Sequence, residues 1–161
     1  MDREIFIFLY NIGMKHKVST KYTSKILPRL FIVLYSLGII FLFISKSQMI
    51  IRFMTVPLFT LLSVSVIRKV VKRKRPFETI ENIEPLISHG NGESFPSRHT
   101  ASSFIIAMAF LYINPIIGIF MIVLAFFVGI SRVMAGVHYP SDVFFGGIYS
   151  LILGYIGFFM I

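Results

Sequence analysis

His99 closes the run Phe95-Pro96-Ser97-Arg98-His99, and His138 lies between Ser131-Arg132 and Asp142 in the pattern Ser-Arg-(five residues)-His-(three residues)-Asp. An imidazole whose Nδ1 proton is accepted by a carboxylate is held in one tautomer. Its other nitrogen is then free to attack an electrophile such as phosphorus. His99, beside donors suited to phosphate, is the candidate to protonate a leaving alkoxide, a service worth about 10²–10⁴-fold. Phosphoryl transfer also needs donors aimed at the oxygens over which charge spreads. Arg supplies a planar fork for such oxygens, and Arg68, Arg75, Arg98 and Arg132 all stand at the margins of apolar runs. Ser97 and the N–H groups of residues 97–99 open a helix, and a helix N-terminus attracts anions. Singly, each residue has an ordinary reading: an arginine snorkelling to a membrane surface, a serine or histidine near a helix end. Together they read as a site that removes a phosphoryl group, from a lipid. His16, in a basic tail, and His89, beside a glycine, are read as bystanders.

Two histidines and a carboxylate fall within the ligand range of zinc. Four guanidinium groups in the same place would repel a divalent cation, and Glu78, Glu81, Glu84 and Glu93 are scattered along a loop. Neither a metal nor a cofactor is therefore expected. No glycine-rich nucleotide loop of the GxxxxGK[ST] kind is present.

These residues need elements to hold them, and the composition says which. The chain is 56% apolar, with Phe at 18 positions, and only 14% charged. Soluble domains average about 45–50% and about 25%, so the expected class is an all-α integral membrane bundle forming a single domain over residues 1–161. Cysteine is absent, which excludes disulfides and thiolate chemistry. A formal charge of +9 calls for anionic partners; in such a chain these are lipid head groups rather than nucleic acid. Oligomeric state is not legible. The run Ile5 to Tyr10 follows Asp2, Arg3 and Glu4 and has no small-residue cleavage site behind it. It is read as part of an interfacial helix over residues 4–14 rather than a signal peptide, since so short a helix cannot span about 30 Å.

Five longer apolar stretches follow: Leu30 to Ile44, Met49 to Ile67, Thr100 to Ile113, Pro115 to Ile130 and Val143 to Ile161. Backbone groups in lipid must be satisfied internally, so helices are expected. Asn114-Pro115 marks a tight hairpin, with Pro in a first helical turn. Ala101, Ser102, Ser103, Ala107 and Ala109, and Gly146, Gly147, Gly154 and Gly157, are expected where helices approach closely. If five spans alternate, residues 1–29, 68–99 and 131–142 share one membrane face. All the chemistry-bearing clusters then converge there. That face carries 14 of the 16 Lys and Arg, with only Lys46 and Arg52 opposite. The positive-inside rule favours a cytoplasmic site.

The motifs resemble those of the type 2 phosphatidic acid phosphatase superfamily, whose signature is Lys-(six residues)-Arg-Pro, then Pro-Ser-Gly-His, then Ser-Arg-(five residues)-His-(three residues)-Asp. Here the blocks read Arg68-(six residues)-Arg75-Pro76, Pro96-Ser97-Arg98-His99, and Ser131, Arg132, His138, Asp142, covering residues 68–142. The resemblance implies that His138 forms a phosphohistidine, Asp142 orients it and His99 is the general acid. It implies phosphate binding by Arg68, Arg75, Ser97 and Arg132, and no metal. Two departures stand out: Arg68 replaces Lys, and Arg98 replaces Gly, where it either narrows the pocket or meets a second phosphate. The implied activity is hydrolysis of a phosphomonoester or diphosphate on a membrane lipid, with undecaprenyl diphosphate favoured and phosphatidylglycerol phosphate or phosphatidic acid next. Relatives acting on carrier lipids often work on the outer face, against the charge bias. Two other readings remain open at this level: a non-enzymatic binder of anionic lipids, and a lipid-to-lipid phosphotransferase.

Overall fold

Helices form wherever the chain must satisfy its backbone in an apolar setting, and the computed structural model, which describes residues 2–88 and 90–160, is helical throughout its regular elements. His89 and Ile161 lie outside the described residues. The helices are α1 (Asp2–Lys15), α2 (Lys17–Ile44), α3 (Met49–Val71), the single turn α4 (Pro76–Thr79), α5 (Arg98–Ile113), α6 (Pro115–Met134) and α7 (Pro140–Tyr155), which ends in a π-helical turn, Ile156–Met160. Among the described residues, four segments are long and apolar enough to cross a membrane: α2, residues 49–79, α6 and residues 140–160. The fifth apolar helix, α5, has 16 residues and is about 24 Å long at 1.5 Å per residue. It runs through the interior against α3, α6 and α7, with Ala101, Ile105, Ala107 and Ala109 fully buried. A helix enclosed by its neighbours does not itself have to match the lipid thickness.

Close approach is what the small residues permit. A Cβ on Gly146 of α7 would lie 2.9 Å from the Ser97 carbonyl, and one on Gly154 would lie 2.9 Å from Met108. The hairpin at Asn114-Pro115 forms as expected. Asn114 ends α5, and its side chain accepts N–H bonds from Ile116 and Ile117 at 3.0 and 3.1 Å to open α6.

Two prolines sit inside helices, and the same device answers both. Proline has no N–H, so the carbonyl four residues earlier loses its donor. For Pro28 that carbonyl is Ser24, and Arg132 of α6 donates to it at 3.0 Å. For Pro57 it is Phe53, and the Tyr35 hydroxyl of α2 donates to it at 2.9 Å. Each break in a helix thus becomes a tie between helices.

The helix ends differ from the boundaries of the apolar stretches. α2 begins 13 residues before Leu30, because Lys17, Lys21, Lys25 and Arg29 lie on its exposed side while Thr20, Ser24 and Pro28 face inward. Spacings of four are one face of a helix. α6 continues past Ile130 through Ser131 and Arg132, and α7 starts at Pro140, so Asp142 lies in its first turn. α1 lies across one end of the bundle. Its Asp2 bonds Ser141, Phe6 packs on Tyr139, the Tyr10 hydroxyl donates to the Glu84 carbonyl, and Gly13 abuts Met134.

Candidate functional site

The ends of α3, α5, α6 and α7 meet at the end of the bundle that α1 covers. Each contributes chemistry because a polar residue at a helix terminus keeps its helix intact while reaching out of the apolar zone. Hydrogen bonds tie these ends to one another and to α2: Ser97 N–H to the Asp142 carbonyl at 2.9 Å, Arg68 Nη1 to the Pro96 carbonyl at 2.8 Å, and Ser24 Oγ of α2 to the Ser131 carbonyl at 2.8 Å.

Between them lies a cavity of about 390 Å³ lined by Arg68, Arg75, Glu93, Arg98, His99 and His138, with Ser88 and residues 90–92 completing its wall. Both sequence-selected histidines therefore face one space. His99 is half-buried in the first turn of α5, Arg98 beside it is exposed, and His138 is buried. Arg75 Nη1 donates to the Val137 carbonyl at 2.9 Å and approaches His138 Nε2 at 3.5 Å. Its Nε donates to the Gly92 carbonyl at 3.0 Å, so the guanidinium is fixed before any anion arrives. Glu78 secures the same loop, accepting from the backbone N–H of Arg75 at 2.7 Å and of Gly92 at 2.8 Å.

Ser97 and Arg132 are buried and do not line the cavity. Ser97 caps α5, its Oγ accepting from the Thr100 hydroxyl at 2.9 Å, while Arg132 reaches the Ser24 carbonyl. The site therefore has a lining layer of three arginines and two histidines and a second layer that holds the helix ends.

Behind His138 the geometry is more elaborate than the His-x-x-x-Asp spacing implies. His138 Nδ1 lies 3.6 Å from Asp142 Oδ2, too far for a direct hydrogen bond. Ser94 stands between: its hydroxyl donates to Asp142 Oδ2 at 2.5 Å and lies 3.3 Å from His138 Nδ1. A hydroxyl that donates to the carboxylate keeps its lone pairs for an imidazole N–H. The same Oδ2 accepts from the Tyr139 N–H at 2.8 Å, the helix-opening bond expected of an acid three residues after an N-cap. Oδ1 accepts from Arg73 Nη1 at 2.7 Å.

Burial pushes the His138 imidazole down to about 3, with Arg75 and Arg132 acting in the same direction and Asp142 opposing. The ring is neutral near pH 7, the form in which an imidazole nitrogen can act as a nucleophile. Among the described residues no three His, Asp or Glu side chains gather as metal ligands do.

Ser94 and Arg73 escaped the sequence reading. Ser94 lies three residues before Ser97, and Arg73 is the second of four consecutive basic residues, Lys72 to Arg75. Neither has a spacing that singles it out.

A second, mostly apolar groove of about 470 Å³ runs between α2, α3 and α5, past Tyr35, Leu58, Leu61, Leu62 and Ile106. Arg98 and His99 line both spaces.

The sequence profile described as the PAP2 superfamily matches residues 47–161. Undecaprenyl-diphosphatase BcrC of Bacillus subtilis (strain 168) is 36% identical over 84 residues, which are 52% of this chain and 43% of that protein. Lipid A 1-phosphatase of Rhizobium etli is 35% identical over 108 residues, 61% of this chain and 46% of that protein. The matched stretches thus span less than half the length of either relative. Among solved structures, Aquifex aeolicus LpxE superposes with a TM-score of 0.77 at 26% identity, over 97% of this chain and 93% of that one.

Proposed function

Since the chain belongs to the PAP2 superfamily, we propose that it is a metal-independent membrane lipid phosphatase acting through a phosphohistidine. One observation carries the reading: His138 and His99 line a single cavity with Arg68, Arg75 and Arg98. Arg68 and Arg75 bind the phosphoryl oxygens. His138 Nε2, beside Arg75 Nη1, attacks phosphorus while its Nδ1 proton is held by Ser94 and Asp142. The P–O bond to the lipid breaks, and His99 gives its proton to the departing oxygen. His99 then takes a proton from water as that water attacks the phosphohistidine, releasing inorganic phosphate and restoring both rings. Ser97 sets the start of α5, whose N-terminus faces the anion, and Arg132 adds positive charge behind His138, where it already acts on the imidazole.

The lipid character of the substrate is supported by the apolar groove that shares Arg98 and His99 with the polar cavity. A head group in the first space puts its hydrocarbon chain in the second. Arg98, lining both, is assigned to the second phosphate of a diphosphate, which favours a polyprenyl diphosphate of the undecaprenyl type. A lipid phosphomonoester, as in phosphatidylglycerol phosphate, phosphatidic acid or the 1-phosphate of lipid A, is the runner-up; the lipid A 1-phosphatase relative supports the last of these. The protein is a multi-pass cell-membrane protein, and the charge bias favours a cytoplasmic site.

The test is phosphate release by the purified protein in detergent, with chelator present, across polyprenyl diphosphate, phosphatidylglycerol phosphate, phosphatidic acid and lipid A. The expected result is release from at least one, greatest with polyprenyl diphosphate. Release from none, or release that chelator abolishes, overturns the reading. Transfer of phosphate to a second lipid instead of water identifies a phosphotransferase.

A further inference from the structure

We infer that Arg73 is a positioning residue for the Asp142–Ser94–His138 relay, and that Asp2 at the head of α1 holds Arg73 in place, making the N-terminal helix a working part of the site. The inference rests on the phosphatase reading and adds two residues that the motifs do not specify: Arg73, in the spacer of the first block, and Asp2, outside all three. Asp2 also lies outside the 47–161 stretch that the family profile matches.

The Arg73 guanidinium bridges two carboxylates. Nη1 donates at 2.7 Å to Asp142 Oδ1 and at 2.7 Å to Ser141 Oγ, and Nη2 donates at 2.9 Å to Asp2 Oδ2. Its plane is steadied by the Tyr139 ring, with the guanidinium carbon 4.4 Å from the ring centroid. Asp2 closes the circuit on α7, accepting from the Ser141 N–H at 3.0 Å and the Ser141 hydroxyl at 2.6 Å. Burial would raise the Asp2 carboxyl, but the bonds from Ser141 and Arg73 outweigh it and hold Asp2 below its ordinary range. Asp2 therefore stays ionised as a partner for Arg73.

Arg73 governs both oxygens of Asp142. It holds Oδ1 directly. Its own carbonyl accepts the Ser94 N–H at 2.8 Å, which fixes the residue that donates to Oδ2. Asp142 is fully buried, and a buried carboxylate without partners is costly and free to reorient. Two carboxylates bridged by one planar cation suit Arg and not Lys, whose compact ammonium cannot span both as a fork. With Arg73 in place, the hydroxyl between Asp142 and His138 keeps one orientation, and Nε2 is aimed into the cavity. Arg73 itself does not line that cavity, so its effect falls on turnover rather than on binding.

The experiment measures kcat and KM on the best lipid substrate for Arg73→Gln, Arg73→Lys, Asp2→Asn and the Arg73→Gln/Asp2→Asn pair, with His138→Ala alongside. Expected are a kcat loss of about 10–100-fold for Arg73→Gln with KM within about threefold, partial recovery in Arg73→Lys, and a smaller kcat loss for Asp2→Asn that vanishes in the Arg73→Gln background. Unchanged kcat in Arg73→Gln and Asp2→Asn, with His138→Ala inactive, overturns the inference and leaves the phosphatase reading standing. A wild-type protein that releases no phosphate overturns that reading instead. A thermal-unfolding cycle of Arg73→Gln against Asp142→Asn then decides the bridge: non-additive Tm losses support it, and additive losses remove it.

Discussion

At the residue scale the account turns on His138 being neutral and aimed. His138→Ala is expected to reduce phosphate release to background, and His99→Ala by about 10²–10⁴-fold, with both proteins still inserted and eluting as wild type from detergent columns. Near-normal activity in purified His138→Ala protein would remove the nucleophile from the scheme. The buried imidazole also predicts a pH signature. Its folded value, about 3, lies below the ordinary 6.5, so on acidification the unfolded chain takes up a proton that the folded protein refuses. Stability from this group is intact above pH 6.5 and falls as pH drops toward 3, by up to about 1.4 kcal/mol per pH unit. In His138→Asn the decline of Tm between pH 6.5 and 4.5 is expected to be shallower. An unchanged decline would mean that the ring titrates normally. The gathering of His138, His99, Arg68, Arg75 and Arg98 around one cavity was legible in sequence from residue types and spacing, whereas the position of Arg132 behind that cavity was not. Ser94, Arg73 and Asp2 were not legible either, because a supporting hydrogen bond can come from any polar residue the fold brings within reach.

Helices position these residues through ties that the sequence only partly discloses. The five apolar helices and the Asn114-Pro115 hairpin were visible as hydrophobic runs and a capped break. Their polar ends were not, since an apolar run stops at the first charge while the helix continues. Ser131, Arg132 and Asp142 thus belong to helix termini rather than to the connection between helices. The two proline ties are equally hidden, because a freed carbonyl finds its donor only in three dimensions. They are testable. Tyr35→Phe leaves the Phe53 carbonyl without the hydroxyl that answers Pro57, at a cost of about 1–3 kcal/mol. Adding Pro57→Ala restores a backbone N–H for that carbonyl and is expected to recover much of the lost Tm. No recovery would show that the Tyr35 hydroxyl serves another purpose. The contact between α5 and α7 is tighter still. Gly146→Ala would drive a Cβ against the Ser97 carbonyl and displace the helix start that carries His99, costing about 1–3 kcal/mol and lowering kcat. Full activity in Gly146→Ala would show that this contact does not register the two motif blocks.

Over the whole molecule, the convergence of three sequence blocks on one end of the bundle follows from the alternation of spans. Residues 45–48 and the Asn114 turn join helices at the other end. The same alternation gathers 14 of the 16 Lys and Arg at the site end. The positive-inside rule then predicts a cytoplasmic active site. Glu84 is exposed at that end, and Glu84→Cys in intact cells is expected to react with a membrane-impermeant maleimide only after permeabilisation. Labelling without permeabilisation would put the site on the outer face. The role of α1 in bracing the site was not foreseeable from its sequence, whose short apolar run marks it as interfacial but says nothing of what it covers.

The most direct test of the mechanism is to stop turnover of a ³²P-labelled polyprenyl diphosphate with alkali and map any label retained by the protein. With the label on the terminal phosphorus, the group that is transferred, the account predicts an alkali-stable, acid-labile phosphate on the peptide containing His138, present during turnover and absent from His138→Ala. Rapid phosphate release with no labelled protein at any time, or label on a peptide without His138, would contradict it.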